Sequence, residues 1–231
     1  MSIRKNFDLS AYLIIGAENT TRPVEEVVEQ AIRAGFTFVQ IRSKKSSARE
    51  IISTLKKCAD VIANLGKSES VALIVNDRLD IALAAREIGV KVDGVHVGQS
   101  DIPVEVCRKY LGEDSVVGLS ARTENLIDYV KTADISQIDY FGAGPLHETA
   151  TKPDCGVLAD GRIITRDLDE LSMLAKISSL PVVVGGGVKM ADIPALVKTG
   201  IAGFFVVSAV AGAENPYAAA KELVDVWQIN K

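Results

Sequence analysis

The chain has little of the residue types on which nucleophilic, redox and metal-thiolate chemistry usually rest. It carries only two histidines, His96 and His147, and neither sits near a catalytic partner in sequence. Its three cysteines, Cys58, Cys107 and Cys155, are an odd set without short repeated spacing, which argues against a disulfide framework or a zinc site. Reduced thiols in a cytoplasmic protein fit better, two of them as small apolar groups within helical patterns. Positive charge is not in excess: the formal net charge is -4, so there is no general basic surface for nucleic acid. No apolar run is long enough to span a bilayer, and Tyr12–Gly16 is too short for a signal core, so no membrane partner is expected. No break in composition marks a linker, and weak self-similarity excludes a solenoid.

What remains is an ordinary globular composition, 48% hydrophobic and 24% charged, with a regular order. Short, nearly continuous apolar runs suit parallel strands covered by helices. They fall at Ala11–Gly16, Phe36–Arg42, Ala72–Asn76, Gly94–Val97, Val116–Ser120, Ile138–Gly142, Pro181–Gly185 and Gly203–Val207. Helical patterns lie between them, including Val24–Ala34, Ala48–Asn64, Leu79–Ile88, Thr123–Thr132 and Arg166–Ile177, with a last one at Pro216–Gln228 capped by Asn215. Gly35, Gly66, Gly89, Gly112 and Gly200 punctuate helix ends. Eight strand–helix units in one series predict an α/β fold, a single (β/α)8 TIM barrel over residues 1–231. A doubly wound open sheet is the alternative, because connectivity alone does not show closure.

In such a barrel the functional groups gather at the carboxyl ends of the strands, and each must be argued on its own chemistry. The second strand ends Gln40-Ile41-Arg42-Ser43-Lys44. Alternation puts Gln40, Arg42 and, where the chain stays extended, Lys44 on one face. An amide and two cations together suit a phosphate, which Arg grips through paired hydrogen bonds and Lys meets as a compact charge. The third strand ends in Asn76-Asp77, where the carboxylate can bind a hard cation or cap the next helix. Asp101, at the neighbouring junction, can share one magnesium ion with Asp77, or cap the helix after Ile102-Pro103. His96 is expected as a buried, hydrogen-bonded residue. Ser120 can donate a hydrogen bond into the site, but it lacks the Gly-x-Ser-x-Gly elbow of a nucleophile.

The sixth strand breaks at Gly144-Pro145 and then offers Thr149, Thr151 and Lys152, donors and one charge of the kind a phosphate needs. The seventh and eighth end in Gly185-Gly186-Gly187 and Val206-Val207-Ser208, where bare backbone N–H groups can cradle a second phosphate. Tight helix–strand packing would account for one of those glycines.

With these motifs in order, together with Gly98-Gln99 and Gly118-x-Ser120, the chain resembles the thiamine phosphate synthase family along most of its length. The resemblance implies a transferase that joins a hydroxymethylpyrimidine diphosphate to a thiazole phosphate, releasing thiamine monophosphate and pyrophosphate with magnesium required. It casts Asp77 and Asp101 as magnesium ligands, and Arg42, Lys44, Asn76 and Lys152 as contacts of the diphosphate. Gln40 would meet the pyrimidine, while Thr149 and Thr151, with Gly186, Gly187, Val207 and Ser208, would hold the thiazole phosphate. Ser120, Arg42 and Lys152 form the catalytic group it implies. The partners are two small molecules, and a homo-oligomer is left open. The chain departs from the family's pattern at His147-Glu148, where an apolar pair is common, and at Val188 to Asp192, which lacks an asparagine often found there. Rival readings are weaker. A thiazole tautomerase would have little reason to keep Asp77, Asp101 and Lys152, a sugar-phosphate epimerase needs an acid–base pair, and a mere phosphate binder needs no metal ligands.

Overall fold

The computed structural model describes residues 3–121, 124–149, 151, 156–158 and 160–231. Eight parallel strands close into a barrel in the order of the chain. They are β1 (Ala11–Ile15), β2 (Phe38–Ile41), β3 (Ala72–Asn76), β4 (Gly94–Val97), β5 (Val116–Ser120), β6 (Tyr140–Ala143), β7 (Val182–Val184) and β8 (Gly203–Val206). Helices α1 (Val24–Ala34), α2 (Ala48–Asn64), α3 (Leu79–Glu87), α4 (Val104–Leu111), α5 (Leu126–Thr132), α6 (Leu168–Ile177), α7 (Ile193–Thr199), α8 (Ser208–Ala211) and α9 (Pro216–Asn230) follow the strands in turn. The pairing of β1 with β8, Tyr12 opposite Phe205, closes the sheet and removes the open-sheet alternative.

Where elements begin or end differently from the sequence pattern, local hydrogen bonding explains it. Phe36 N–H reaches back to the Ala31 carbonyl, with Gly35 in the left-handed region, so this segment closes α1 instead of opening β2. Pro181 has no N–H to give, and β7 starts at Val182. Asp167 accepts the Glu170 N–H at 2.7 Å and caps α6, which therefore starts after it rather than at Arg166. Helix α2 keeps its expected span behind a reciprocal cap between Ser47 and Glu50.

Strand alternation divides the core in two. Outward residues such as Leu13, Val39, Leu73, Val95 and Phe141 pack under the helices. Inward residues, among them Tyr12, Phe38, Ile74, Val116, Tyr140 and Val183, fill the barrel with Ile3 and Leu9 beneath them. The amino-terminal face is held by a buried carboxylate. Asp139 accepts from Arg108 Nη2, from the Val117 N–H and from Arg4 Nε, each at 2.7 Å. Removing one partner of such a buried pair costs about 3–5 kcal/mol.

The interior is crowded enough that glycines decide which rings fit. A Cβ on Gly118 would lie 2.2 Å from Tyr140 Cζ, and one on Gly142 would lie 3.1 Å from His96 Cε1. We expect Gly118→Ala to lose about 1–3 kcal/mol through overpacking, seen by calorimetry as a fall in Tm of several degrees. An unchanged Tm would show that the Tyr140 ring has room to move.

Candidate active site

The carboxyl ends of the strands surround a cavity of about 200 Å³. Gln40, Arg42, Asn76, Ser120, Thr149 and Thr151 line it, as do Gly186, Gly187, Val207 and Ser208. The barrel thus brings together ten of the residues picked from sequence, from strands spread over the whole ring. Lys152 and Cys155 lie outside the described residues.

Three further expected residues stand together at the ends of β2, β3 and β4. Lys44 Nζ lies 2.6 Å from Asp77 Oδ2, and Asn76 Nδ2 donates to the same oxygen at 2.6 Å. Asp77 adopts a left-handed backbone, φ 59°, a conformation rare outside glycine and tolerated best by Asp and Asn. Its N–H is held by the His96 carbonyl at 2.8 Å. Neither acid caps the next helix: the capping positions are Arg78 and Pro103, and Asp101 Oδ2 instead accepts the Gly98 N–H at 2.7 Å. Arg42 enters no ion pair among the described residues and faces the cavity. Beside it, Glu18 accepts the Lys44 N–H at 2.8 Å.

The two carboxylates interact, and their acidities move apart. Burial works against charge on Asp77, but hydrogen bonds from Lys44 and Asp101 and the Lys44 charge outweigh it and hold the pKa low. Burial pushes Asp101 up, the Gly98 N–H partly offsets this, and the neighbouring Asp77 raises it further. The pair therefore keeps a shared proton more readily than two separate acids would.

The opposite rim is built from β6, β7 and β8. Gly186 and Gly187 have φ of 83° and 70°, and a Cβ on Gly187 would lie 2.8 Å from His147 Cβ. Here glycine is needed both for the left-handed turn and for the close approach of the β6 loop. His147 N–H bonds the Gly186 carbonyl at 3.0 Å, and its Nε2 lies 3.0 Å from both oxygens of Asp192. His147 thus has a partner after all, one that lies 45 positions away in the chain. Glu148 is exposed.

His96 is hydrogen-bonded, as expected, but half-buried rather than buried, because it forms part of the cavity wall. Its Nε2 lies 2.9 Å from Ser120 Oγ and its Nδ1 lies 2.9 Å from the Tyr140 hydroxyl. Tyr140 meets the Tyr12 hydroxyl at 3.1 Å, and Tyr12 accepts from the Gln40 amide. Tyr12 and Tyr140 were not picked out from sequence. Their signal is positional, because alternation places them on the same inward face as Gln40, His96 and Ser120.

Residues 11–210 match the family model described as thiamine monophosphate synthase. The chain belongs to this family. Similar proteins include the thiamine-phosphate synthase of Corynebacterium efficiens, 38% identical with 96% of each chain covered. That of Ruminiclostridium cellulolyticum is 36% identical over 99% of this chain and 100% of its own. Among solved structures, a thiamine phosphate pyrophosphorylase from Pyrococcus furiosus aligns with a TM-score of 0.77 at 28% identity, covering 96% of each chain. A 3-hexulose-6-phosphate synthase, at 19% identity and a TM-score of 0.63, shares the fold alone.

The Lys44–Asp77 pair has a readable consequence. A depressed Asp77 pKa adds stability that is complete above the carboxylate's unfolded value and is lost as pH falls through the lower folded one. Asp101, raised, acts in the opposite sense: its contribution is present below the unfolded value and is lost as pH rises through the folded one. We expect Lys44→Met to move the Asp77 midpoint upward in a carboxyl carbon NMR titration. A midpoint that stays in place would show that the ammonium does not set this acidity.

Proposed function

We propose that the cavity joins an aminopyrimidine carrying a methylene diphosphate to a thiazole phosphate, as the family's transferase activity requires. The methylene C–O bond breaks, pyrophosphate leaves with the bonding pair, and the thiazole nitrogen forms the new C–N bond to give thiamine monophosphate. The observation that supports this most is the presence of two anion-receiving rims on one cavity. Arg42, Lys44 and Asn76 stand at the ends of β2 and β3, and the glycine turn and Ser208 stand across the ring, just past the ends of β7 and β8.

In this reading Arg42 and Lys44 neutralise the leaving diphosphate, with Lys152 assigned beside them from sequence. Thr149, Thr151 and the backbone at Gly186, Gly187, Val207 and Ser208 hold the thiazole phosphate. Gln40 offers its amide to the pyrimidine edge. An electron-rich aminopyrimidine supports positive charge on its methylene, so the work left to the protein is alignment of two rings and stabilisation of departing charge. No protein nucleophile is needed. Cys58 and Cys107 are unsuited to that role in any case, since burial pushes Cys58 to about 12 and Cys107 to about 11.

Asp77 and Asp101 fit a magnesium ion by their own chemistry. Two interacting acids at neighbouring strand ends offer hard oxygen ligands to one cation, and magnesium is commonly held by one or two carboxylates plus substrate phosphate. When bound, the ion would supply Lewis-acid neutralisation of the diphosphate. A cytoplasmic location is part of the same reading. Among the described residues no helix is long and apolar enough to cross a membrane, and Cys58 and Cys107 are free thiols.

Purified protein with both substrates and magnesium should form thiamine monophosphate, and chelation should stop it. We expect Asp77→Asn to lower kcat by about 100-fold or more. Folded protein that gives no product at saturating substrates would refute the assignment. Lys152→Ala should reduce turnover far more than Tm, and unchanged turnover in that variant would remove Lys152 from the diphosphate site.

A further inference from the structure

An unbroken line of hydrogen bonds crosses the floor of the cavity. It runs from Ser120 Oγ to His96 Nε2 (2.9 Å), from His96 Nδ1 to the Tyr140 hydroxyl (2.9 Å), on to the Tyr12 hydroxyl (3.1 Å), and ends at the Gln40 amide. Its members come from β5, β4, β6, β1 and β2. Ser120 and Gln40 stand at its ends and line the cavity, to whose wall His96 and the edge of Tyr12 also contribute. Tyr12 and Tyr140 are fully buried, and burial drives both phenols well above their ordinary range, so each stays a neutral hydroxyl.

Each inner member has one hydrogen to give along the line, which makes the direction of the whole line a single choice. Gln40 Nε2 donates to Tyr12. The Tyr12 hydroxyl then donates to Tyr140, and Tyr140 donates to His96 Nδ1. A neutral His96 must therefore carry its hydrogen on Nε2 and donate to Ser120. Ser120 accepts, and its own hydrogen is left for the cavity. With the Gln40 amide turned over, every bond reverses: Ser120 gives its hydrogen to His96 and presents only lone pairs to the cavity.

We propose that this five-residue relay couples the two ends of one substrate, so that a donor group bound at Gln40 holds Ser120 in the state that donates to an anionic oxygen. The inference rests on the function proposed above and deepens it. An exocyclic amine needs the Gln40 Oε1 as acceptor, which keeps Nε2 turned to Tyr12. A diphosphate oxygen carries no hydrogen at neutral pH and can only accept. An aminopyrimidine diphosphate presents both groups, and thus selects one polarity from both ends. Tyr12, Tyr140 and His96 are positioning residues in this scheme and touch no reacting atom.

The histidine tautomer can be read directly by nitrogen NMR of the whole protein. His96 and His147 are the only histidines, and a His147→Gln variant assigns the spectrum. With the aminopyrimidine diphosphate alone we expect His96 as the Nε2–H tautomer, and a mixture or the Nδ1–H form in Tyr140→Phe. Tyr140→Phe should lower kcat about tenfold in the Ser120 protein but by less than about twofold in a Ser120→Ala background, with KM for the thiazole phosphate unchanged in both. Equal losses in the two backgrounds would assign Tyr140 a purely structural role and overturn the proposal, as would a tautomer unaffected by Tyr140→Phe. Tyr12→Phe, one link further on, is expected to give the same pattern and serves if Tyr140→Phe does not fold. The tautomer needs no turnover to be read, so a wild-type protein without activity would count against the proposed reaction and leave the relay's own test standing.

Discussion

An eight-stranded barrel has an interior just wide enough for side chains to fill, with little space left for water. Every polar group that points inward must therefore find a partner among other inward groups or open into the cavity. This constraint orders the site. Tyr12 and Tyr140 can be tolerated at the barrel's centre because their hydroxyls bond each other and extend to Gln40 and His96. Gly118 and Gly142 give up their side chains so that the Tyr140 ring and the His96 imidazole can occupy that space. A polar chain placed in a dry interior is also rigid, so the two ends that emerge into the cavity are held in fixed directions.

The same constraint explains what sequence reasoning could see. Strand β3, β4 and β5 boundaries and the spans of α1 and α2 match their patterns, because continuous apolar runs and heptad-like stripes are set locally. The anion-binding candidates were legible because polar residues at the end of an apolar run are conspicuous. His147 was not, since its partner Asp192 belongs to the segment after β7 and it is the parallel pairing of β6 with β7 that brings the two together. Tyr12 and Tyr140 were hidden for a different reason: in an apolar strand a tyrosine reads as one more hydrophobic residue, and its hydroxyl counts only once its neighbours are known. Among the boundaries that moved, the helix start expected at Arg166 and the strand start expected at Phe36 depended on a cap and on a reaching backbone bond that periodicity does not encode.

Charge at the two faces of the barrel separates structure from chemistry. At the amino-terminal face Asp139 accepts from Arg108, from the Val117 N–H and from Arg4, which also meets Glu113. At the carboxyl-terminal face Asp77 meets one ammonium and one amide but also a second carboxylate, on a backbone conformation that is itself unfavourable. Asp101 caps no helix: its side chain accepts the Gly98 N–H and meets Asp77, so it brings a second acid to this rim without closing a helix end. The arrangement makes sense when the incomplete neutralisation is completed by something that binds. A hard cation and a polyanion together would do that, the cation answering the acids and the anion answering Arg42 and Lys44. The mixed signs at this rim suit the metal–diphosphate recognition proposed above, while the Asp139 cluster at the opposite face ties strands and helices together.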